Sequence, residues 1–365
     1  MDEPIRVLNI FMKLDRGGAE TFVMNVYRHI DRTKVQFDFL VHGDKVGAYE
    51  EEIQKLGGRI YRLPLMTDFF AYKKAIKQFF DNYPNYKIIH SHASELGLFI
   101  FREAKKRGIP YRICHAHSAP QGVSVKTPLR YMFKKGMTGV SNEFFACSDK
   151  AGIWQYGKHC RFTVVKNGIS VKDFAFDNTI REEVREQLGI QNKLVIGHVG
   201  RFETPKNHSF IIDVFEQVSG KIDAVLLLVG DGSLRSEIEK KVRDKGLTDK
   251  VIFLGSQQNV SKYLNAMDIF MFPSFFEGLG IVLIESQANG LRSYVSDRIP
   301  PEAIVTDLVT KIPLSQSPSK WAEKVISNLN QTCNRENYAM TVKDSGFDIE
   351  EVAAFFEKYF LNCSR

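Results

Sequence analysis

The sequence predicts an α/β protein built from parallel sheets in two domains. Three observations predict it. Short apolar runs alternate with amphipathic helical stretches, the pattern of βαβ units. The pattern restarts after about residue 170. The chain has 365 residues, more than the roughly 150 that one domain usually takes.

Taken in order, RVLNIF (6–11) reads as a buried strand, followed by the loop MKLDRGGAE. Phe22, Val23, Val26, Tyr27 and Ile30 then fall at helical spacing. QFDFLVH (36–42) alternates as a strand does. Ala71, Tyr72, Ala75, Ile76, Phe79 and Phe80 mark an amphipathic helix, and KIIHSH (87–92) a short strand. RICHAHS (112–118) and FFACS (144–148) read as strand ends running into polar loops. FTVVKNGI (162–169) closes the first series, and the stretch from Val171 to Asn192 is mostly charged and polar. LVIGHVGRF (194–202) opens the second series, with a helix carrying Phe210, Ile211, Val214, Phe215 and Val218. DAVLLLVG (223–230), KVIFLG (250–255) and DIFMFPS (268–274) are its further strands. This places an N-terminal domain over 1–170 and a C-terminal domain over 171–348. A last helix over about 349–365, with Val352, Ala353, Phe356, Tyr359 and Phe360, is free to return to the first half.

Hydrophobic residues make up 44% and charged residues 25% of the chain, which excludes collagen-like, disordered and disulfide-scaffold classes. Five cysteines with no CxxC spacing argue against a disulfide framework or structural zinc. No apolar run approaches the ~18–20 residues that cross a bilayer, and MDEPIRVLNIF lacks the basic start of a secretory signal, so a cytoplasmic protein is expected. The net charge of +7 permits an anionic partner without requiring one, and no nucleic-acid partner is expected. The basic-aromatic stretches 69–80 and 126–135 could touch an anionic membrane surface. Against that, their aromatics could face the core with the lysines solvated, the reading favoured for 69–80.

Familiar nucleotide signatures fail. Gly230-Asp231-Gly232 lacks the third glycine of GxGxxG, and in GIWQYGK (152–158) His159 stands where a P-loop needs Ser or Thr. The constellation EGLGIVLIE (277–285) is stronger, because it directly follows an apolar strand. Glycines opening a helix let a phosphate reach bare backbone N–H groups, where the helix dipole also favours negative charge. Glu277 and Glu285 lie either side of seven residues and could bind hydroxyl pairs of a nucleotide sugar. Arg201 and Lys206, after LVIGHVG, supply cations for a diphosphate leaving group. Taken singly, each feature also fits solvated surface charge.

Together these residues resemble the GT4-type glycosyltransferases of GT-B fold, near bacterial exopolysaccharide and capsule members. The resemblance runs from RGGAE through GRF…KN, LVGDG, FLG and MDIFMFPSFFEGLGIVLIES to SDRIPPE. It implies two Rossmann-like domains facing across a cleft, and retaining transfer of a hexose from a nucleoside-diphosphate sugar, UDP-linked, to a glycan acceptor that is polyprenyl-linked. It assigns Arg201 and Lys206 to the diphosphate, Glu285 to the ribose and Glu277 to the donor sugar. Gly278, Leu279 and Gly280 offer backbone N–H groups, Gly17 and Gly18 close on the phosphates, and Val260 falls where the base is held. The family carries one functional histidine near the end of the RICHAHS strand. Alternation sends His115 and His117 to the same side; His117, nearer the strand end, is favoured. No metal is expected, because two cations and a helix dipole serve the diphosphate. Gly290-Leu291-Arg292 departs from the Gly-x-Pro common in relatives. A sugar-nucleotide epimerase or hydrolase on the same fold, or a non-catalytic partner subunit, are the alternatives.

Overall fold

The computed structural model describes residues 3–15, 17–93, 97–117, 127–330 and 333–363, residues 127–130 by backbone alone. Residues up to Gly168 and from Ile349 onward form one compact unit, and Ile169–Asp348 another.

The first unit runs β1 (Ile5–Ile10), α1 (Gly18–His29), β2 (Val35–His42), α2 (Glu50–Lys55), β3 (Ile60–Leu63), α3 (Phe69–Asn82), β4 (Ile88–Ser91), α4 (Leu98–Lys106), β5 (Tyr111–Ala116), α5 (Thr127–Val140), β6 (Glu143–Ala146), α6 (Asp149–Tyr156) and β7 (Thr163–Val164). Its sheet is wholly parallel, in the order β3-β2-β1-β4-β5-β6-β7. β1 lies between β2 and β4, so chain direction across the sheet reverses there. Crevices at such switch points, beyond the carboxyl ends of the strands, are where open α/β sheets bind ligands.

The second unit runs α7 (Val171–Phe174), α8 (Asn178–Gln187), β8 (Leu194–Val199), α9 (His208–Ser219), β9 (Ala224–Val229), α10 (Arg235–Asp244), β10 (Val251–Gly255), α11 (Ser261–Ala266), β11 (Ile269–Phe272), α12 (Ile281–Ala288), β12 (Arg292–Ser296), β13 (Val309–Ile312), α13 (Pro318–Ser327) and α14 (Tyr338–Val342). The parallel order is β10-β9-β8-β11-β12-β13, with the switch point between β8 and β11. β9 reads AVLLLV with every residue buried, as a central parallel strand covered on both faces must be. The last helix, α15 (Ile349–Asn362), belongs to the first unit. Its Val352, Phe356 and Phe360 join the apolar layer of Phe22, Phe37 and Phe145.

Several sequence features find a physical reason here. The polar residues of β2 do not reach solvent: Asp38 is fully buried, held by the Arg6 guanidinium at 2.6 Å and by the Tyr86 hydroxyl at 2.6 Å. The GIWQY of GIWQYGK lies in α6, which Gly157 caps, and a side chain at Gly152 would strike the Phe162 ring. The glycines of LVGDG serve close packing. A Cβ at Gly230 would lie 2.1 Å from the Gly200 carbonyl oxygen, and one at Gly232 2.6 Å from that of Phe202. They brace the loop that carries Arg201, through Phe202 N–H donating to the Asp231 carbonyl at 2.9 Å.

Along α3, the Asp68 side chain caps the first turn by accepting from the amides of Phe70 and Ala71. Tyr72, Ile76, Phe79 and Phe80 face the core, while Phe70 is 83% exposed. In the 126–135 stretch, Tyr131 and Met132 are exposed. Lys126 and the side chains of 127–130 lie outside the described residues.

Candidate functional site

Of the second unit's predicted residues, Arg201, Lys206 and Glu277 to Gly280 lie on the two loops at the β8/β11 switch point. After β8 the chain runs through Gly200 and Arg201 into a short 3-10 turn at Thr204–Lys206. Asn207 then turns it into α9 with a left-handed backbone (φ 56°, ψ 44°), a conformation asparagine tolerates better than most residues. After β11, Pro273 to Gly280 lead into α12. Two hydrogen bonds stitch the loops together: Asn207 Nδ2 donates to the Pro273 carbonyl at 3.1 Å, and Phe275 N–H to the Pro205 carbonyl at 2.9 Å.

Across that seam, Lys206 Nζ lies 2.6 Å from Glu277 Oε1. Glu277 is only 8% exposed, so Lys206 offsets what would otherwise be a costly uncompensated buried charge. The ammonium also sits 5.1 Å from the centre of the Phe272 ring. Arg201 is exposed. Gly280 is the N-cap of α12 with φ 81°, where a side chain would be strained and would crowd Phe272 at 3.3 Å. Nothing stands within 4 Å of where a Gly278 side chain would begin. Among the described residues, no backbone acceptor takes the amides of Gly278, Leu279 or Gly280. They add to the unpaired N–H groups of the α12 N-terminus.

Glu285 sits in α12, half-buried and without an ionic or hydrogen-bond partner among the described residues. Desolvation pushes its carboxyl up to about 7. Val260 is the N-cap of α11, on the loop beyond β10.

In the first unit, Gly17 is the N-cap of α1. A Cβ there would come within 2.3 Å of the Glu20 carboxylate, while Gly18 faces open space. His115 lies inside β5 and is fully buried; His117 follows the strand and is half-buried. They are half of a histidine quartet that sequence reasoning missed. His90 Nε2 lies 3.2 Å from His115 Nδ1, and His92 Nδ1 2.8 Å from His117 Nε2. Burial holds all four neutral: it pushes His90, His92 and His115 well below the usual imidazole range and His117 down to about 3. The signal was available. HSH (90–92) and HAH (115–117) end two strands that the fold pairs in parallel, with Ser91 beside Cys114.

The chain matches two family models in series: Glycosyltransferase Family 4 over residues 16–173 and Glycosyl transferases group 1 over 180–344. It is 34% identical over 378 residues to EpsF of Bacillus subtilis (strain 168), covering 99% of this chain and 97% of that protein. It is 21% identical to the capsular polysaccharide biosynthesis glycosyltransferase CapH of Staphylococcus aureus, covering 98% and 99%. The solved structure of Anabaena HepE in complex with UDP superposes with a TM-score of 0.79 at 17% identity, covering 98% of this chain and 100% of that one. The chain thus belongs to the GT4-type glycosyltransferases and has their GT-B fold, two parallel α/β units in one polypeptide.

Proposed function

We propose that the protein is a retaining glycosyltransferase that moves a hexose from a UDP-sugar to a lipid-linked glycan in exopolysaccharide or capsule synthesis. The observation that carries this reading is the Lys206–Glu277 pair at the β8/β11 switch point, beside the amides of 278–280, which have no backbone acceptor among the described residues. A half-buried Lys206, an exposed Arg201 and a helix N-terminus suit a diphosphate whose negative charge grows as the sugar departs. Glu277 is assigned to the hydroxyls of the donor sugar, Glu285 to the ribose, and Val260 to the base. Gly17 and Gly18 are assigned to the donor phosphates and His117 to the donor sugar. HepE structures with UDP and with UDP-glucose support the donor class. So does an Escherichia coli relative named for transfer from UDP-Gal to GlcNAc-diphosphoundecaprenol, 26% identical over 58% of this chain. That name also supports a polyprenyl-linked acceptor.

In this mechanism the anomeric C–O bond to the diphosphate breaks as Lys206 and Arg201 take up its charge. The acceptor hydroxyl then bonds to the same face of an oxocarbenium-like sugar, and its proton passes to the departing phosphate oxygen. No protein nucleophile is needed. The cationic side chains and helix dipole do the electrostatic work of a metal ion.

Transfer from a UDP-hexose panel to a diphosphoundecaprenyl-linked sugar tests the reading. The expected product keeps the donor's anomeric configuration by NMR and forms equally with a chelator present. UDP release that ignores acceptor would favour a hydrolase or epimerase instead.

Among the described residues no helix is long and apolar enough to cross a membrane. A groove of about 470 Å³ between α3 and α4 is lined by Phe70, Lys73, Lys74, Lys77, Arg102 and Lys106. Its cations and exposed ring support peripheral contact with an anionic membrane, at its cytoplasmic face.

A further inference from the structure

We propose that Asn9 and His92 are positioning residues that fix the tautomer of His117, so that His117 presents a bare Nδ1 lone pair and accepts, but does not donate, a hydrogen bond. The inference rests on the assignment of His117 to the donor sugar only for its effect on transfer; the tautomer itself follows from the hydrogen bonds.

The chain of bonds starts at Asn9, fully buried in β1. Its Nδ2 donates to the carbonyls of Val7 at 3.3 Å and Asp38 at 3.4 Å. Turning the amide over would set its oxygen against two carbonyl oxygens, so the observed orientation is the favourable one. Asn9 Oδ1 therefore faces His92 Nε2 at 3.2 Å as an acceptor, and His92 must carry its proton on Nε2. A neutral imidazole has one proton, and burial keeps His92 neutral. His92 Nδ1 is then an acceptor, and the atom it meets at 2.8 Å, His117 Nε2, must donate. His117 is neutral too, so its Nδ1 carries no proton. That Nδ1 is buried and has no partner among the described residues. A buried acceptor without a partner awaits a donor, and a sugar hydroxyl is one.

The groups facing the pair come from several elements, and among the described residues none is charged. Phe11 stacks on His92 at 4.6 Å, Phe22 of α1 lies 5.5 Å from His117, and His90 and His115 complete the surround. Nitrogens of His90, His92 and His115 lie within 4.8 Å of one another, a spacing that also suits a divalent cation. Both nitrogens of His92 are already engaged, however, and a cation would have to take the lone pair that His117 binds.

Long-range proton–nitrogen NMR of protein labelled with nitrogen-15 histidine reads the tautomers directly in the unaltered chain, with His117→Gln identifying the resonance. The expected result is His117 protonated at Nε2 and bare at Nδ1. Asn9→Leu, close to Asn in shape, should remove that preference. It should lower kcat for transfer roughly tenfold, the worth of one hydrogen bond, with the affinity for UDP unchanged by calorimetry. His117 protonated at Nδ1, a tautomer unmoved by Asn9→Leu, or stoichiometric zinc in the purified protein would each overturn the proposal. If the tautomer shifts while transfer is unaffected by both Asn9→Leu and His117→Gln, the assignment of His117 to the sugar fails and the tautomer relay stands.

Discussion

On the proposed assignment of Glu285 to the ribose, two demands conflict at this residue. A carboxylate that is to accept from both hydroxyls of a ribose must be ionised, yet its setting in α12 raises the carboxyl to about 7 by desolvation. Ionising it costs folding free energy. Because the folded value lies above the ordinary 4.5, the stability it contributes is complete below pH 4.5 and is lost as pH rises through about 7. Glu285→Gln should therefore raise the melting temperature above pH 7 and leave it unchanged below pH 4.5. The same substitution should weaken UDP binding above pH 7, and the gap from wild type should close as pH falls and the native carboxyl protonates. A melting temperature insensitive to the substitution at every pH would show that Glu285 is solvated. Lys206 and Glu277 illustrate what residue spacing can and cannot reveal. E-x7-E after an apolar strand and GRF…KN after another marked both residues as candidates. Their 2.6 Å contact depends on β8 and β11 being neighbours, and a separation of 71 positions leaves no local trace of that. The histidine quartet escaped for a related reason, since each H-x-H pair is unremarkable until β4 and β5 lie side by side.

Helices and strands were more legible than contacts, because hydrophobic period reports burial directly. β9 could be read from its unbroken apolar run, and α9 from apolar residues at helical spacing. The short elements α2, β3 and α7 span only four to six residues, too few for a period to show. α3 shows both outcomes in one helix. Its inner face was predictable from Tyr72, Ile76, Phe79 and Phe80. Of the remaining aromatics, Phe70 projects outward beside Lys73 and Lys74. If that face meets anionic lipid, the protein should sediment with phosphatidylglycerol vesicles and not with phosphatidylcholine ones. Phe70→Ser combined with Lys74→Glu should release most of it, and so should added salt, which screens the lysines. Equal sedimentation with both lipids would remove the electrostatic basis of the membrane reading.

For the whole molecule, the restart of the α/β pattern foretold two parallel sheets, and each sheet has its own switch point, β1/β4 and β8/β11. The return of α15 to the first unit is a tertiary fact: its apolar residues announce a buried face without saying which core receives it. On the proposed reading, the modest +7 charge matters locally, at Arg201 and Lys206 on the loop after β8 and along the α3–α4 groove. The central claim is that the β8/β11 loops of the second unit hold a nucleotide diphosphate. Calorimetric titration with UDP tests it most directly, comparing wild type with Arg201→Ala and with Lys206→Gln, which leaves Glu277 a hydrogen-bond donor. Loss of a charge-assisted hydrogen bond to phosphate should weaken UDP by roughly ten- to a hundredfold in each variant without unfolding the protein. UDP affinity unchanged in both variants, with the fold intact, would contradict it.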